Sequence, residues 1–209
     1  MLLNRDERPV LIVNLIYIPF FTAIALRDLN FEFVLYVGVI LVVAAVILWK
    51  QPVVQFDSAI LWGLTIWGLM HLAGGNVRGG GGVLYNLTLI PLIGDPYHVL
   101  RYDQVVHVLG FGVATLVCQH LMRPYLREGA AGKRAVIVLV VLAGSGVGAI
   151  NEVLEFAATV LMPETNVGGY QNTAIDLLCN LIGGCLAVAL LAMRGRLQKR
   201  CVGVGKAGG

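Results

Sequence analysis

Charge is what this chain has least of. Asp, Glu, Lys and Arg make up 13% of its 209 residues, against about 25% in soluble domains. Apolar and aromatic residues make up 58%, and the mean hydropathy is +0.82. A soluble domain of this length needs far more polar surface. The shortage argues at once against a soluble enzyme, a disordered chain and a nucleic-acid binder. Cysteine is also sparse. Cys118, Cys179, Cys185 and Cys201 form no C-x-x-C pair and no dense framework. They read as small apolar residues rather than a disulfide scaffold or a zinc site. The apolar runs lack period-2 alternation, which argues against membrane strands. Helices remain as the element that leaves no backbone group unpaired in lipid.

What the chain has instead is long apolar runs. Six of them, at 9–26, 30–49, 58–73, 103–122, 135–162 and 173–193, approach or exceed the roughly 20 residues that cross a bilayer core of about 30 Å. The third is short and the fifth long, so tilt or kinking is expected there. The expected fold class is an all-α membrane protein: one domain over 1–209 with about six transmembrane helices.

Basic residues set the orientation. With the N-terminus in the cytoplasm, twelve fall on the inner side: Arg5, Arg8, Lys50, Arg123, Arg127, Lys133, Arg134, Arg194, Arg196, Lys199, Arg200 and Lys206. Three fall outside: Arg27, Arg78 and Arg101. This bias predicts that both termini are cytoplasmic and that 194–209 is a basic cytoplasmic tail. Ala23-Ile24-Ala25 resembles a cleavage site, but the residues before the run are net neutral and the run continues to Leu26. The segment is therefore expected to stay as a span. Gly144-Ser145-Gly146-Val147-Gly148-Ala149 satisfies G-x-G-x-x-A, yet no soluble βαβ unit surrounds it. Gly144 and Gly148 read better as small residues that let membrane helices approach closely.

A long outer loop, 74–102, separates the third and fourth spans. It contains Gly79-Gly80-Gly81-Gly82, a flexible hinge, and then an apolar stretch, 83–93, too short to span. That stretch is expected in the outer interface or as a re-entrant piece. It is either a surface anchor or a lid over a site.

Ionisable groups inside spans are costly and mark function. Here they share one depth. His71 ends the third span. Arg101, Tyr102, Asp103 and His107 open the fourth. Asn151, Glu152 and Glu155 lie in the outer half of the fifth. Tyr170, Gln171, Asn172, Thr173, Asp176 and Asn180 lie at the outer end of the sixth. At 1.5 Å per residue, this level is roughly 5–12 Å below the outer surface. Asp103 and His107, Asn151 and Glu155, and the series Asn172, Asp176, Asn180 are spaced i,i+4, and Glu152 and Glu155 are i,i+3. Each set shares one helix face.

Asp103, Glu152, Glu155 and Asp176 cannot all be ionised close together without compensation. A carboxyl can keep its proton and act as a general acid or proton carrier. Arg101 can pair with one. A divalent cation can bind them, with His71, His107 and Glu155 as candidate ligands; the spacing is compatible with metal without being diagnostic. The structural alternatives are plainer. Asp103 with His107, and Asn172 with Asp176, can cap their helices, and Asn180 can make one interhelical hydrogen bond. Glu152 and Glu155 are hardest to explain structurally. His98 and Glu164 read as loop residues and His120 as interfacial.

His71-Leu72-Ala73-Gly74-Gly75, Tyr85, the run Arg101-Tyr102-Asp103-Gln104-Val105-Val106-His107 with Gly110, Asn151-Glu152-x-x-Glu155, and Asn172-x-x-x-Asp176-x-x-x-Asn180 with Gly183 resemble the bacterial inner-membrane family typified by YjdF. The resemblance covers about Leu61 to Leu191. A more distant likeness is to VanZ-like proteins, which are associated with glycopeptide resistance. The resemblance implies a bacterial plasma-membrane protein of about six spans and implies no established reaction. Such proteins often carry a more aromatic and acidic stretch before the last helix, where this chain has Gly168-Gly169-Tyr170-Gln171-Asn172.

The leading reading is an outward-facing site for an amphiphilic envelope substrate, such as a lipid or a lipid-linked phosphate or carboxylate. Asp103, His107, Glu152, Glu155 and Asp176 are its candidate catalytic residues. Tyr85, Arg101, Tyr170, Asn172 and Asn180 are its candidate substrate contacts. The alternatives are a proton- or cation-coupled transporter of small solutes and an assembly partner of another membrane protein. Whether the protein is an enzyme stays open. Membrane lipids are the expected partners, with no nucleic acid and no nucleotide cofactor.

The net charge of +3 conceals a partition. The outer side and outer half-helices hold eight acidic residues against three basic ones, and the inner side four against twelve.

Overall fold

The protein was studied as a computed structural model that describes residues 7–79, 82–94, 97–125, 130–163 and 165–194. Six helices carry nearly all of it: α1 (Glu7–Arg27), α2 (Phe31–Val54), α3 (Ser58–Asn76), α4 (Tyr102–Met122), α5 (Ala130–Leu161) and α6 (Tyr170–Met193). All six are long and apolar enough to cross a membrane. The shortest, α3, has 19 residues, about 28 Å at 1.5 Å per residue. It continues three residues past the expected end at 73. The expected long span is one helix of 32 residues. The sixth begins at Tyr170, so Tyr170, Gln171 and Asn172 form its first turn.

Local chemistry sets several boundaries. Asn30 caps α2: its side chain accepts from the Phe33 amide at 3.3 Å and donates to the Gly75 carbonyl at 3.3 Å. One residue thus ends one turn and ties α2 to the last turn of α3. At α4 the Gln104 side chain reaches back to accept from the Arg101 amide at 3.1 Å. This satisfies a donor that the helix leaves free.

The helices alternate in direction and define two ends. The connections 27–31, 76–102 and 161–170 lie at the loop end. The connections 54–58 and 122–130 lie at the tail end. Cross-connections hold each end. At the loop end Asn166 donates twice to Glu32 Oε2, from its amide at 2.8 Å and its side chain at 3.0 Å. At the tail end Arg123 meets Asp57 at 3.2 Å and Gln51 donates to Glu7 at 2.8 Å.

Two three-helix groups make the bundle. In one, α4 lies most closely against α6, with α5 packed on both; in the other, α1, α2 and α3 associate; α3 and α4 join the two. Glycines permit the α4–α6 approach. A Cβ at Gly183 would run into the Val108 carbonyl oxygen, and Gly112 sits opposite. Gly144 and Gly148 do the same for α5: a Cβ at Gly144 would strike Thr115, and one at Gly148 would lie 2.5 Å from Asn180 Nδ2. Two of the three glycines of the G-x-G-x-x-A run, Gly144 and Gly148, are therefore spent on packing within this chain, while Gly146 faces open space.

The segment between α3 and α4 is neither a helix nor plain coil. It forms two antiparallel ribbons, β1 (Arg78–Gly79) with β2 (Gly82–Val83), and β3 (Thr88–Ile93) with β4 (Val99–Arg101). Gly79 pairs with Gly82 across the first ribbon; Gly80 and Gly81 lie outside the described residues. The apolar stretch 83–93 becomes a 3-10 turn followed by β3, which exposes Leu89, Ile90, Leu92 and Ile93. Backbone bonds from Leu84 to the Val77 carbonyl and from Tyr102 to the Leu87 carbonyl, each 2.9 Å, pin the segment to the helix ends. Glu164 and tail residues 195–209 lie outside the described residues.

Candidate functional site

Helix spacing and helix packing together build a polar cluster at the loop end. Asp103 and His107 project from α4, Glu152 and Glu155 from α5, and Asn172, Asp176 and Asn180 from α6. His107 is central. Its Nδ1 lies 2.9 Å from Asn180 Oδ1 and 3.8 Å from Glu152 Oε1, and its Nε2 lies 3.6 Å from Asp103 Oδ1. Asn172 Nδ2 donates to Oδ2 of Asp176 and, at 3.5 Å, to Oδ2 of Asp103. Asn151 donates to Glu155 at 2.8 Å. Asp176 and Asn180 are fully buried, and Glu152 and His107 are more than nine-tenths buried.

Several atoms of this cluster lack a hydrogen-bond partner among the described residues: both Glu152 oxygens, Asp176 Oδ1 and Asn180 Nδ2. Buried polar groups are rarely left unpaired, so the cluster is unfinished as a purely structural network. The helix-capping alternatives also lapse. The N-cap of α4 is Arg101, served by Gln104, and the N-cap of α6 is Gly169 with no side-chain bond. Asp103, Asn172 and Asp176 turn to one another instead.

A narrow cleft, partly open to solvent, leads to the cluster. Asp103, His107, Glu155 and Asn172 line one side, and Glu32, Tyr36, Trp67 and His71 the other. Arg101 and Tyr85 also line it. The Tyr85 hydroxyl lies 2.5 Å from His71 Nδ1 and 3.1 Å from the His71 carbonyl. Burial pushes this hydroxyl well above its ordinary titration range, so it stays a protonated donor. Trp67 stacks on the His71 ring at 5.5 Å. Arg101 Nε is buried without a hydrogen-bond partner among the described residues. Tyr170 is 87% exposed and borders a separate recess of about 630 Å³ that reaches Glu152 and Glu155 from the α6 side.

Two groupings have the proximity a metal ion needs: Asp103, His107 and Asp176, and His107, Glu152 and Glu155, each with one donor atom per residue inside 4.8 Å. Of the ligands expected from sequence, His107 and Glu155 meet in the second. His71 belongs to neither, and its Nδ1 is engaged by Tyr85.

Two features escaped the sequence reading. Glu32 is buried at the cleft and bonded to Asn166; a lone carboxylate at the start of an apolar helix was its only signal. At the tail end, His120 is buried within the protein, with Nε2 3.0 Å from the Val54 carbonyl. It sits beside Arg123, which Gln119 and Asp57 hold at 3.0 and 3.2 Å. The i,i+3 pair of His120 and Arg123 could have pointed there.

A family model described as "Predicted membrane protein (DUF2238)" matches residues 9–196. The chain therefore belongs to that membrane-protein family, the one typified by YjdF. With six apolar helices, it is a multi-pass membrane protein. No curated protein and no solved structure matches it.

Proposed function

We propose that this DUF2238 protein sits in the bacterial plasma membrane with both termini cytoplasmic, and that its loop-end cleft acts on the head group of an amphiphilic envelope substrate. The substrate class is a lipid or a lipid-linked phosphate or carboxylate. The observation that carries this reading is the meeting of Asp103, His107, Glu152, Glu155 and Asp176 beside a cleft, with buried carboxylate oxygens left unpartnered. His107 serves as general base or ligand, and Glu152 or Glu155 as acid or ligand. Arg101, half-buried and with no hydrogen-bond partner for Nε among the described residues, is suited to an anionic head group. Tyr85, Asn172, Asn180 and Tyr170 orient the substrate or the catalytic groups.

A second feature supports an amphiphilic ligand. An apolar groove of about 770 Å³ runs between α1, α2 and α3, lined by Val10, Leu11, Ile40, Val43 and Ile47. Trp67 borders both the groove and the polar cleft. An apolar groove beside a polar cleft is the pairing that an amphiphilic ligand would need. The transporter alternative requires a polar route to the tail end. Among the described residues that half holds apolar clusters of Val136, Val140, Val141, Val188 and Leu191 and of Phe56, Ile60 and Leu61, but also the buried Thr115, Gln119, His120 and Arg123 of α4 and the turn after it. The orientation rests on the basic residues. Arg8, Lys50, Arg123, Arg134 and Arg194 fall toward the tail end, and Arg27, Arg78 and Arg101 toward the loop end.

The test compares envelope lipids by mass spectrometry in cells that express the wild type, Glu155→Gln or His107→Ala at equal membrane levels. Loss of a wild-type-dependent lipid species in both variants is expected. Inserted, folded variants that leave the lipid profile and the antibiotic-resistance profile as the wild type does would refute the reading.

A further inference from the structure

Asn172 divides the donor atoms of this site. Its side-chain amide occupies Oδ2 of Asp103 and Oδ2 of Asp176 together. Asn180 Oδ1, at 2.9 Å, occupies Nδ1 of His107. An acceptor there fixes the ring with its proton on Nδ1 and its lone pair on Nε2, the arrangement that metal-bound histidines take from their neighbours. Three donor atoms are left over: Oδ1 of Asp103, Oδ1 of Asp176 and Nε2 of His107. These three residues can bring donor atoms within 4.8 Å of one another. Asp176 is fully buried, and its Oδ1 has no hydrogen-bond partner among the described residues. A buried carboxylate oxygen without a partner is an unused donor atom, and a cation is one group that can take it up.

We infer that Asp103, His107 and Asp176 form a divalent-cation site, with Asn172 and Asn180 as positioning residues that aim its three donors. Two carboxylate oxygens and one imidazole nitrogen, with the remaining positions open, suit a hard or borderline first-row ion such as Mn²⁺ or Zn²⁺ rather than a soft one. The ion enters from the cleft. Asp103, the most exposed of the three side chains at 20%, lines that cleft, while Asp176 lies behind it. This set differs from the other grouping around His107, because Nδ1, the nitrogen nearer Glu152, is already taken by Asn180. Glu152 and Glu155 then stand beside the ion without ligating it, Glu155 held by Asn151.

The inference concerns the same cleft as the proposed function, and its test reads the metal alone. Full-length protein in detergent micelles is stripped with chelator and titrated with Mn²⁺, and electron paramagnetic resonance reads both the bound fraction and any nitrogen coupling to the ion. One Mn²⁺ per chain with coupling to a histidine nitrogen is expected. His107→Ala should abolish the coupling. Asp176→Asn and the rim variant Asp103→Asn should each weaken binding by more than about 100-fold, and Asn172→Ala by about 10- to 100-fold. Glu155→Gln should retain the ion and its nitrogen coupling. No stoichiometric Mn²⁺ on the wild type overturns the site whatever the variants do. So does binding without nitrogen coupling, or loss of the ion in Glu155→Gln with retention in Asp176→Asn. A wild type that binds Mn²⁺ while Glu155→Gln leaves the envelope lipids unchanged would uphold the ion site and reject the substrate reading. The converse pair of results would reject the ion site alone.

Discussion

Gly183 and Gly146 are both helix residues, and they should respond oppositely to one added methyl. A Cβ at Gly183 meets the backbone of α4, which cannot yield without parting the two helices. Gly183→Ala should cost roughly 1–3 kcal/mol. Gly146 faces open space, so Gly146→Ala should change stability by less than about 0.5 kcal/mol. Denaturant unfolding in micelles, followed by circular dichroism, compares them; equal losses would contradict the packing described here. The same scale shows what can be read before folding. Asp103 and His107 lie four residues apart, so their shared face is visible in the sequence. The bond from His107 to Asn180 joins residues 73 apart, and no local pattern reports it. In the sequence Glu32 is one carboxylate at the start of an apolar run, and only the fold reveals that Asn166 closes on it across 134 residues.

Among elements, the six helices were the most legible part, because long apolar runs near 20 residues have few other uses. Their ends were less so: the expected starts at 135 and 173 fall inside α5 and α6. The loop was least legible. Its apolar stretch 83–93 is expected at the outer interface or as a re-entrant piece, and so short a run carries no period that announces a strand. Pairing with β4 and the bonds to Val77 and Leu87 give it strand form. Pro91 within β3 suits a two-stranded ribbon with a free edge. At the tail end the Asp57–Arg123 contact ties the α2–α3 connection to the end of α4. Asp57 stands at the N-cap of α3 but makes no side-chain cap bond, and its carboxylate goes to Arg123 instead. Arg123 is largely buried while Asp57 is about half exposed. A double-mutant cycle with Asp57→Ala and Arg123→Ala should therefore give a coupling of about 1 kcal/mol or less, reduced by solvent screening. A coupling indistinguishable from zero would mean that packing alone holds this corner.

For the whole molecule, the charge partition and the fold agree on where the polar chemistry lies. The acidic cluster and the cleft are at one end, and most of the described basic residues at the other. If the loop end faces outward, Tyr97→Cys in a chain stripped of its native cysteines should react with a membrane-impermeant maleimide on intact cells. Arg194→Cys should react only after the membrane is opened. The reversed pattern would invert the topology and move the cleft to the cytoplasmic leaflet. The central claim is that the cleft does chemistry on an envelope lipid head group. The most direct measurement reconstitutes the purified protein into vesicles of extracted envelope lipids and follows their composition over time by mass spectrometry. The wild type should convert one head-group-bearing species, and Glu155→Gln and His107→Ala should leave it intact. Unchanged lipids with the wild type, or equal conversion by the variants, would contradict the account.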